Sequence, residues 1–284
     1  MEFLDGKKLQ KQTLQEIKNL VELLEIKPTL AVISIGEDPI NNVFFQQKKK
    51  MCQEVGFKII LHHYEDISES SLISLIKKLN CDDDITSILL EMPIPSHLSL
   101  ATIRNTILPE KDIEGVTTTN QMKVQTNSGG FIPCTALGII NLLTSYNIDV
   151  KEKNIVIINR SELIGKPLFH MFLKQDATIT LCHRQTKNLK NYLKDADIVI
   201  SATGSPYFLT TKDFKENSIV IDAGMSEEEQ KIVGDIDFDS DENLLQYAVR
   251  PIGGVGPMTI AAIAENILKS YYLQSKNKYL DEFE

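Results

Sequence analysis

A chain of 284 residues, 42% hydrophobic and 24% charged, carries enough apolar material for two ordinary domains and is not a disordered or low-complexity sequence. The formal net charge of -9 argues against a general nucleic-acid binder, and charges such as Glu265 and Lys269 interrupt the apolar helical runs, so no membrane span is expected. The start, MEFLDGKKLQ, has no apolar signal core, which points to a cytoplasmic protein; Cys52, Cys81, Cys134 and Cys182 form no C-x-x-C pair, and reduced, mostly buried thiols are expected rather than a metal site or a disulfide framework.

Leu14, Ile17, Val21 and Leu24 recur at helical spacing and predict a helix over 7–24, followed by a strand at 29–35. Asp38 and Pro39 offer an N-cap and a first helical residue for a helix reaching 55. A strand at 58–64, a helix at 70–80 and a strand at 87–91 come next, the last ended by Pro93 and Pro95. After a polar connection, residues 136–146 form an apolar helix. The alternation then resumes with a strand at 155–158, a helix at 163–174, a strand at 178–182, a short helix near 189–194, strands at 198–201 and 218–222, and a last helix over 258–273. Alternating strands and helices make this an α/β protein with largely parallel sheet, in two halves that leave a cleft between them.

Five stretches carry chemistry. In IVIINRSELIGKPL, residues 155–168, a strand runs through Asn159-Arg160-Ser161 into a helix, the unit that offers backbone amides and a helix N-terminus to a phosphate; Asn159 replaces the usual first glycine and would accept a left-handed backbone, and Gly165 keeps a fingerprint position. An ordinary βα connection would read the same way. Phe44 and Lys48 share a helix face, either as an aromatic platform beside an amine or as a core Phe and a solvated Lys in the run Lys48-Lys49-Lys50. Glu91 stands at a strand's carboxyl end, where α/β sheets place ligands, and Lys111-Asp112-Ile113-Glu114-Gly115 reads as a ligand loop or a plain surface turn. Three glycines in Gly253-Gly254-Val255-Gly256-Pro257-Met258-Thr259 permit close approach to a ligand, with Pro257 beginning the helix behind it.

Taken in order, Pro133-Cys134-Thr135, NRSELIGKP, the CHRQT segment from Cys182 to Thr186, Ala202-Thr203-Gly204, IDAG ending at Gly224, VGD ending at Asp235, and GGVGPMT resemble the bifunctional methylenetetrahydrofolate dehydrogenase/cyclohydrolase family over nearly the whole chain. The resemblance implies a homodimer whose folate cleft lies between a catalytic domain, residues 1–138 completed by the C-terminal helix 268–284, and a Rossmann-like NAD(P)-binding domain, residues 139–267. It implies oxidation of methylenetetrahydrofolate to the methenyl form with NADP, then hydrolysis to 10-formyltetrahydrofolate. It assigns catalysis to Lys48 with Phe44, Glu91 and Glu114, substrate binding to these four with Gly253, Gly254 and Pro257, and cofactor binding to Asn159, Arg160, Ser161, Ile164, Gly165, His183, Arg184, Thr203 and Gly204.

Four positions depart from the family's pattern. Phe44 stands for the tyrosine of Tyr-x-x-x-Lys, Glu91 leads a run that is Gln-Leu-Pro-Leu-Pro in the family, Glu114 replaces the aspartate of Lys-Asp-Val-Asp-Gly, and Val249-Arg250-Pro251-Ile252 replaces Thr-Pro-Val-Pro. Two alternatives follow: a relative that binds folate or nucleotide without turnover, or a dehydrogenase for another pterin-like compound. NADP is expected over NAD because the second strand of the cofactor unit ends in Cys182-His183-Arg184 with no acid for ribose hydroxyls, while Arg160 and Arg184 can hold a 2′-phosphate.

Overall fold

The computed structural model describes residues 1–36, 39–228, 231–239 and 245–281, the side chains of 39–42 and 276–281 excepted. The expected N-cap Asp38 and residues 282–284 of the expected C-terminal helix lie outside the described residues. Internal contacts divide the chain into two compact units: an N-terminal unit of Lys11–Cys134 with Ile260–Glu284, and a central unit of Met1–Gln10 with Thr135–Thr259.

The chain opens with β1 (Glu2–Phe3) and α1 (Gly6–Glu22) and continues through β2 (Thr29–Ile35), α2 (Pro39–Val55), β3 (Lys58–Tyr64), α3 (Glu69–Cys81), β4 (Ser87–Leu90), α4 (Leu100–Arg104) and α5 (Thr118–Gln125). In the N-terminal unit the strands form a parallel sheet in the order β3-β2-β4. All four residues of β4 and all of β2 but Ser34 are buried, as a parallel strand covered on both faces requires. Ala31, Ile33, Ile88 and Leu90 of these strands pack with Leu72 and Ile76 of α3 and Ile103 of α4. The edge strand β3 is more open. The polar connection of the sequence reading contains α4 and α5, whose caps Ser99 and Thr117 accept the amides of Thr102 and Asn120.

Next come α6 (Cys134–Ser145), β5 (Asn154–Ile158), α7 (Gly165–Leu173), β6 (Thr178–Cys182), α8 (Leu189–Leu193), β7 (Ile198–Ser201), β8 (Leu209–Thr210), β9 (Ile219–Asp222), β10 (Ser226–Glu228), β11 (Lys231–Val233), β12 (Ile236–Asp237), β13 (Tyr247–Val249) and α9 (Gly256–Asp281). The six-stranded sheet of the central unit is parallel throughout, in the order β1-β13-β9-β7-β5-β6, while β12 pairs with β8 in parallel and β10 with β11 antiparallel. From β5 onward the chain lays its strands in a doubly wound order that reverses between β5 and β7, so the ligand crevice of such a sheet falls at the carboxyl ends of those two strands.

The thiols are free and mostly buried, as expected: Cys52, Cys134 and Cys182 are buried and Cys81, at the end of α3, is exposed. One expectation needs correction: the final helix is longer than 258–273, because Gly256 and Pro257 already belong to it. Among the described residues no helix is long and apolar enough to cross a membrane.

Candidate active site

In the N-terminal unit, α2 buries the face carrying Lys48, Met51, Cys52 and Val55, and Lys48 is only 5% exposed, whereas Lys49 and Lys50 are exposed. A solvated Lys48 is thereby excluded. Glu91 follows the last residue of β4, and its amide still donates to the Ile33 carbonyl at 2.9 Å, so its carboxylate leaves from the sheet's carboxyl edge. Lys48 and Glu91 meet there as a buried ion pair. The Lys48 amine also sits 6.0 Å from the centroid of the Phe44 ring.

The segment carrying Glu114 is no surface turn, since Lys111, Asp112 and Ile113 are all buried. The Lys111 amine caps the end of α3 through the Leu79 and Asp82 carbonyls at 3.0 and 2.8 Å. Asp112 accepts the amides of Val116 and Thr117 at 3.1 and 2.8 Å and the Asn120 side-chain amide at 2.9 Å. Gly115 has φ +61°, and a Cβ there would lie 2.1 Å from the Phe131 carbonyl oxygen, so only glycine lets the chain turn here. The Glu114 carboxylate then accepts the Cys134 amide at 3.3 Å. Burial raises its pKa above the usual carboxylate range; the Cys134 amide and the Lys48 charge pull it back, and Glu91 pushes it further up. Sequence reasoning missed Asn266, whose side-chain amide donates to the Ile113 and Ile132 carbonyls at 2.8 and 3.0 Å and so braces both segments that flank Glu114.

In the central unit the expected phosphate loop has a different internal logic. Asn159 is not among the residues with positive φ. Its side chain acts instead: Oδ1 accepts the amides of Ser161 and Gly165 at 2.7 and 3.0 Å, and Nδ2 donates to the Ala202 carbonyl at 2.6 Å. The Ser161 hydroxyl accepts the Ile164 amide at 3.1 Å. Three amides expected to face a phosphate are thus satisfied within the loop. Gly165 is required because an added Cβ would stand 2.1 Å from the Asn159 carbonyl oxygen. Arg160 and Arg184 are exposed, each two residues beyond the paired strand ends Ile158 and Cys182, and neither has a hydrogen bond or ion pair among the described residues. His183 is folded into its own turn, accepting the Gln185 amide on Nδ1 at 3.2 Å. Across the crevice, Gly204 takes φ +68° directly after Thr203.

The glycine run packs first against its own chain. A Cβ on Gly6 would lie 2.0 Å from the Gly254 carbonyl oxygen, and one on Gly254 would lie 2.5 Å from Val249. Gly253 differs, with φ +87° and open space around it apart from the Lys7 side chain. Pro257 is the second residue of α9.

Asp222, at the end of β9, is buried and accepts the amides of Gly224, Asp235 and Ile236 at 2.9, 3.1 and 2.9 Å. Burial raises its carboxyl to about 7, Asp235 adds to the rise, and the amides oppose it. A carboxyl that binds its proton more tightly folded than unfolded stabilises the fold at low pH and loses that contribution as pH rises from about 4 to about 7. Relative to Asp222→Asn, the wild type is therefore expected to gain stability on acidification from about pH 8 to about pH 5, by on the order of 3 kcal/mol. Denaturant unfolding of both proteins across that range checks it, and a constant difference would contradict it.

Comparison with known proteins sets these two sites in context. The profile described as tetrahydrofolate dehydrogenase/cyclohydrolase, catalytic domain, matches residues 4–114, and that of the NAD(P)-binding domain matches residues 133–275. The chain belongs to this family. Among similar relatives, the bifunctional protein FolD of Hydrogenobaculum sp. is 43% identical over 274 residues, 95% of this chain and 99% of the relative. The crystal structure of FolD from Campylobacter jejuni superposes with a TM-score of 0.93 at 38% identity, covering 96% of this chain and 99% of that one. The Trypanosoma brucei enzyme, solved with NADP and an inhibitor, gives a TM-score of 0.92 at 26% identity, covering 96% and 98%.

Proposed function

We propose that the protein oxidises 5,10-methylenetetrahydrofolate to 5,10-methenyltetrahydrofolate with NADP and hydrolyses that product to 10-formyltetrahydrofolate. The observation that carries this reading is the buried Lys48 amine, paired with Glu91 and flanked by Phe44 and Glu114 in the unit matched by the family's catalytic-domain profile. Hydride loss from the methylene carbon needs little acid–base help, because the two flanking nitrogens stabilise the cation that forms. Positioning is the protein's task there, with Phe44 as a stacking surface and Glu114 as a carboxylate for the pterin. NADP, when bound, accepts the hydride. Hydrolysis asks more: water adds to the methenyl carbon, one carbon–nitrogen bond breaks and protons move, work for which Lys48 is the buried amine at hand.

Arg160, Ser161, Thr203 and Gly204 flank the crevice of the doubly wound sheet, and the two exposed guanidinium groups beyond neighbouring strands suit a 2′-phosphate. Replacing both, as Arg160→Ala/Arg184→Ala, is expected to raise KM for NADP roughly 10- to 100-fold and leave KM for NAD nearly unchanged. An unaltered preference between the cofactors in steady-state kinetics would contradict the assignment. The outer edge of β3, with Ile60 and Leu61 each 42% exposed, supports a homodimer joined along that strand. Light scattering should give twice the chain mass, reduced to the chain mass by Leu61→Lys; a monomeric wild type would contradict it.

The test of function is turnover of purified protein with methylenetetrahydrofolate and NADP, with NADPH and 10-formyltetrahydrofolate both quantified. Tight folate binding without NADPH would support a non-catalytic relative. Neither binding nor turnover would support another pterin-like substrate.

A further inference from the structure

Two carboxylates that the reaction does not use lie buried side by side under the cofactor crevice, with no cation paired to either among the described residues. Asp235 is fully buried. Its Oδ2 accepts the Ser201 hydroxyl at 2.6 Å and the Thr203 amide at 2.7 Å, and its Oδ1 accepts the Ser205 amide at 2.9 Å. Every partner belongs to the end of β7 or to the turn that follows it, which contains Thr203 and Gly204. Behind Asp235 stands Asp222, which accepts the backbone amides of Asp235 and Ile236. The two acids are interlocked by glycines: a Cβ on Gly224 would lie 2.1 Å from Asp235 Oδ1, and one on Gly234 would lie 2.0 Å from Asp222 Oδ2. Burying an acid without a cation is costly unless donors surround it, and here those donors come from one turn.

We propose that Asp235, held in register by Asp222, is the positioning residue for the dinucleotide, shaping the turn at 202–205 so that it can receive the cofactor. Through the Asn159 bond to the Ala202 carbonyl, the same turn is tied to the loop after β5, so one network sets both lips of the crevice. The inference rests on the reading of this unit as an NADP site.

Two variants test it: Asp235→Asn, which removes the acceptor for one or more of these donors, and Gly224→Ala, which pushes the carboxylate aside with its charge intact. Each is expected to raise the dissociation constant for NADP at least about tenfold, while hydrolysis of added methenyltetrahydrofolate, which consumes no dinucleotide, stays within about twofold of wild type and reports an intact fold. Ser201→Ala removes a single donor without crowding and is expected to give a smaller rise, which keeps the test open should either larger change prevent folding. Unchanged NADP affinity in the folded variants, or an equal fall in binding and hydrolysis, would overturn the proposal alone. A wild type that does not bind NADP would overturn the functional reading and this inference with it.

Discussion

Lys48→Ala is expected to slow hydrolysis of methenyltetrahydrofolate by roughly 10²- to 10⁴-fold, the usual weight of a positioned acid–base group, and to slow hydride transfer far less. Single-turnover rates of the two steps, measured separately, check the split. Removing the amine also leaves Glu91 buried without its cation, which costs about 3–5 kcal/mol of stability by the general behaviour of broken buried pairs. The double variant Lys48→Ala/Glu91→Gln relieves that cost and should keep the kinetic phenotype. Equal losses in both steps would mean that Lys48 acts only by shaping the site.

Glu91→Gln is expected to speed hydrolysis, by roughly tenfold or more. Two opposite charges about 4 Å apart attract by about 4 kcal/mol at an effective dielectric of 20, and Lys48 held this way must part with Glu91 before it can engage the attacking water. A neutral amide would still accept a hydrogen bond from Lys48 without that charge attraction. The nearby Glu114 bears on the same balance, because its carboxyl, raised by burial, brings less negative charge to Lys48 than a solvated acid would. The rate of methenyl hydrolysis in Glu91→Gln, compared with wild type over the neutral range, is the check; an unchanged rate and pH profile would contradict this role.

Much of this was legible from residue types alone. The apolar runs of β2, β4, β5 and β7 are short but dense in β-branched and aliphatic residues and bounded by polar ones, so their strands and the alternating helices could be placed within a residue or two. β1 is two residues long, too short for any periodicity to register. The helices α4 and α5 span five and eight residues, and only their caps Ser99 and Thr117 marked them. The burial of Lys48 was open to inference from Met51, Cys52 and Val55, which follow it at helical spacing on the same face. Asn159 shows the opposite case: a left-handed backbone was inferred for it, whereas its side chain does the bonding. The tie between Asp222 and Asp235 joins residues thirteen apart through glycines that make room for each other's carboxylates, and no local pattern carries such an interlock. Likewise, Asn266 reaches Ile113 from 153 residues away.

A single turnover of the wild-type protein with methylenetetrahydrofolate and NADP, recording NADPH and methenyltetrahydrofolate together, tests the central claim most directly: this chain performs both steps, with the second restrained by Glu91. The expected record is NADPH formation accompanied by a transient of methenyltetrahydrofolate that decays to 10-formyltetrahydrofolate, and whose amplitude shrinks in Glu91→Gln. No NADPH, or NADPH formed with no methenyl transient in the wild type, would contradict it.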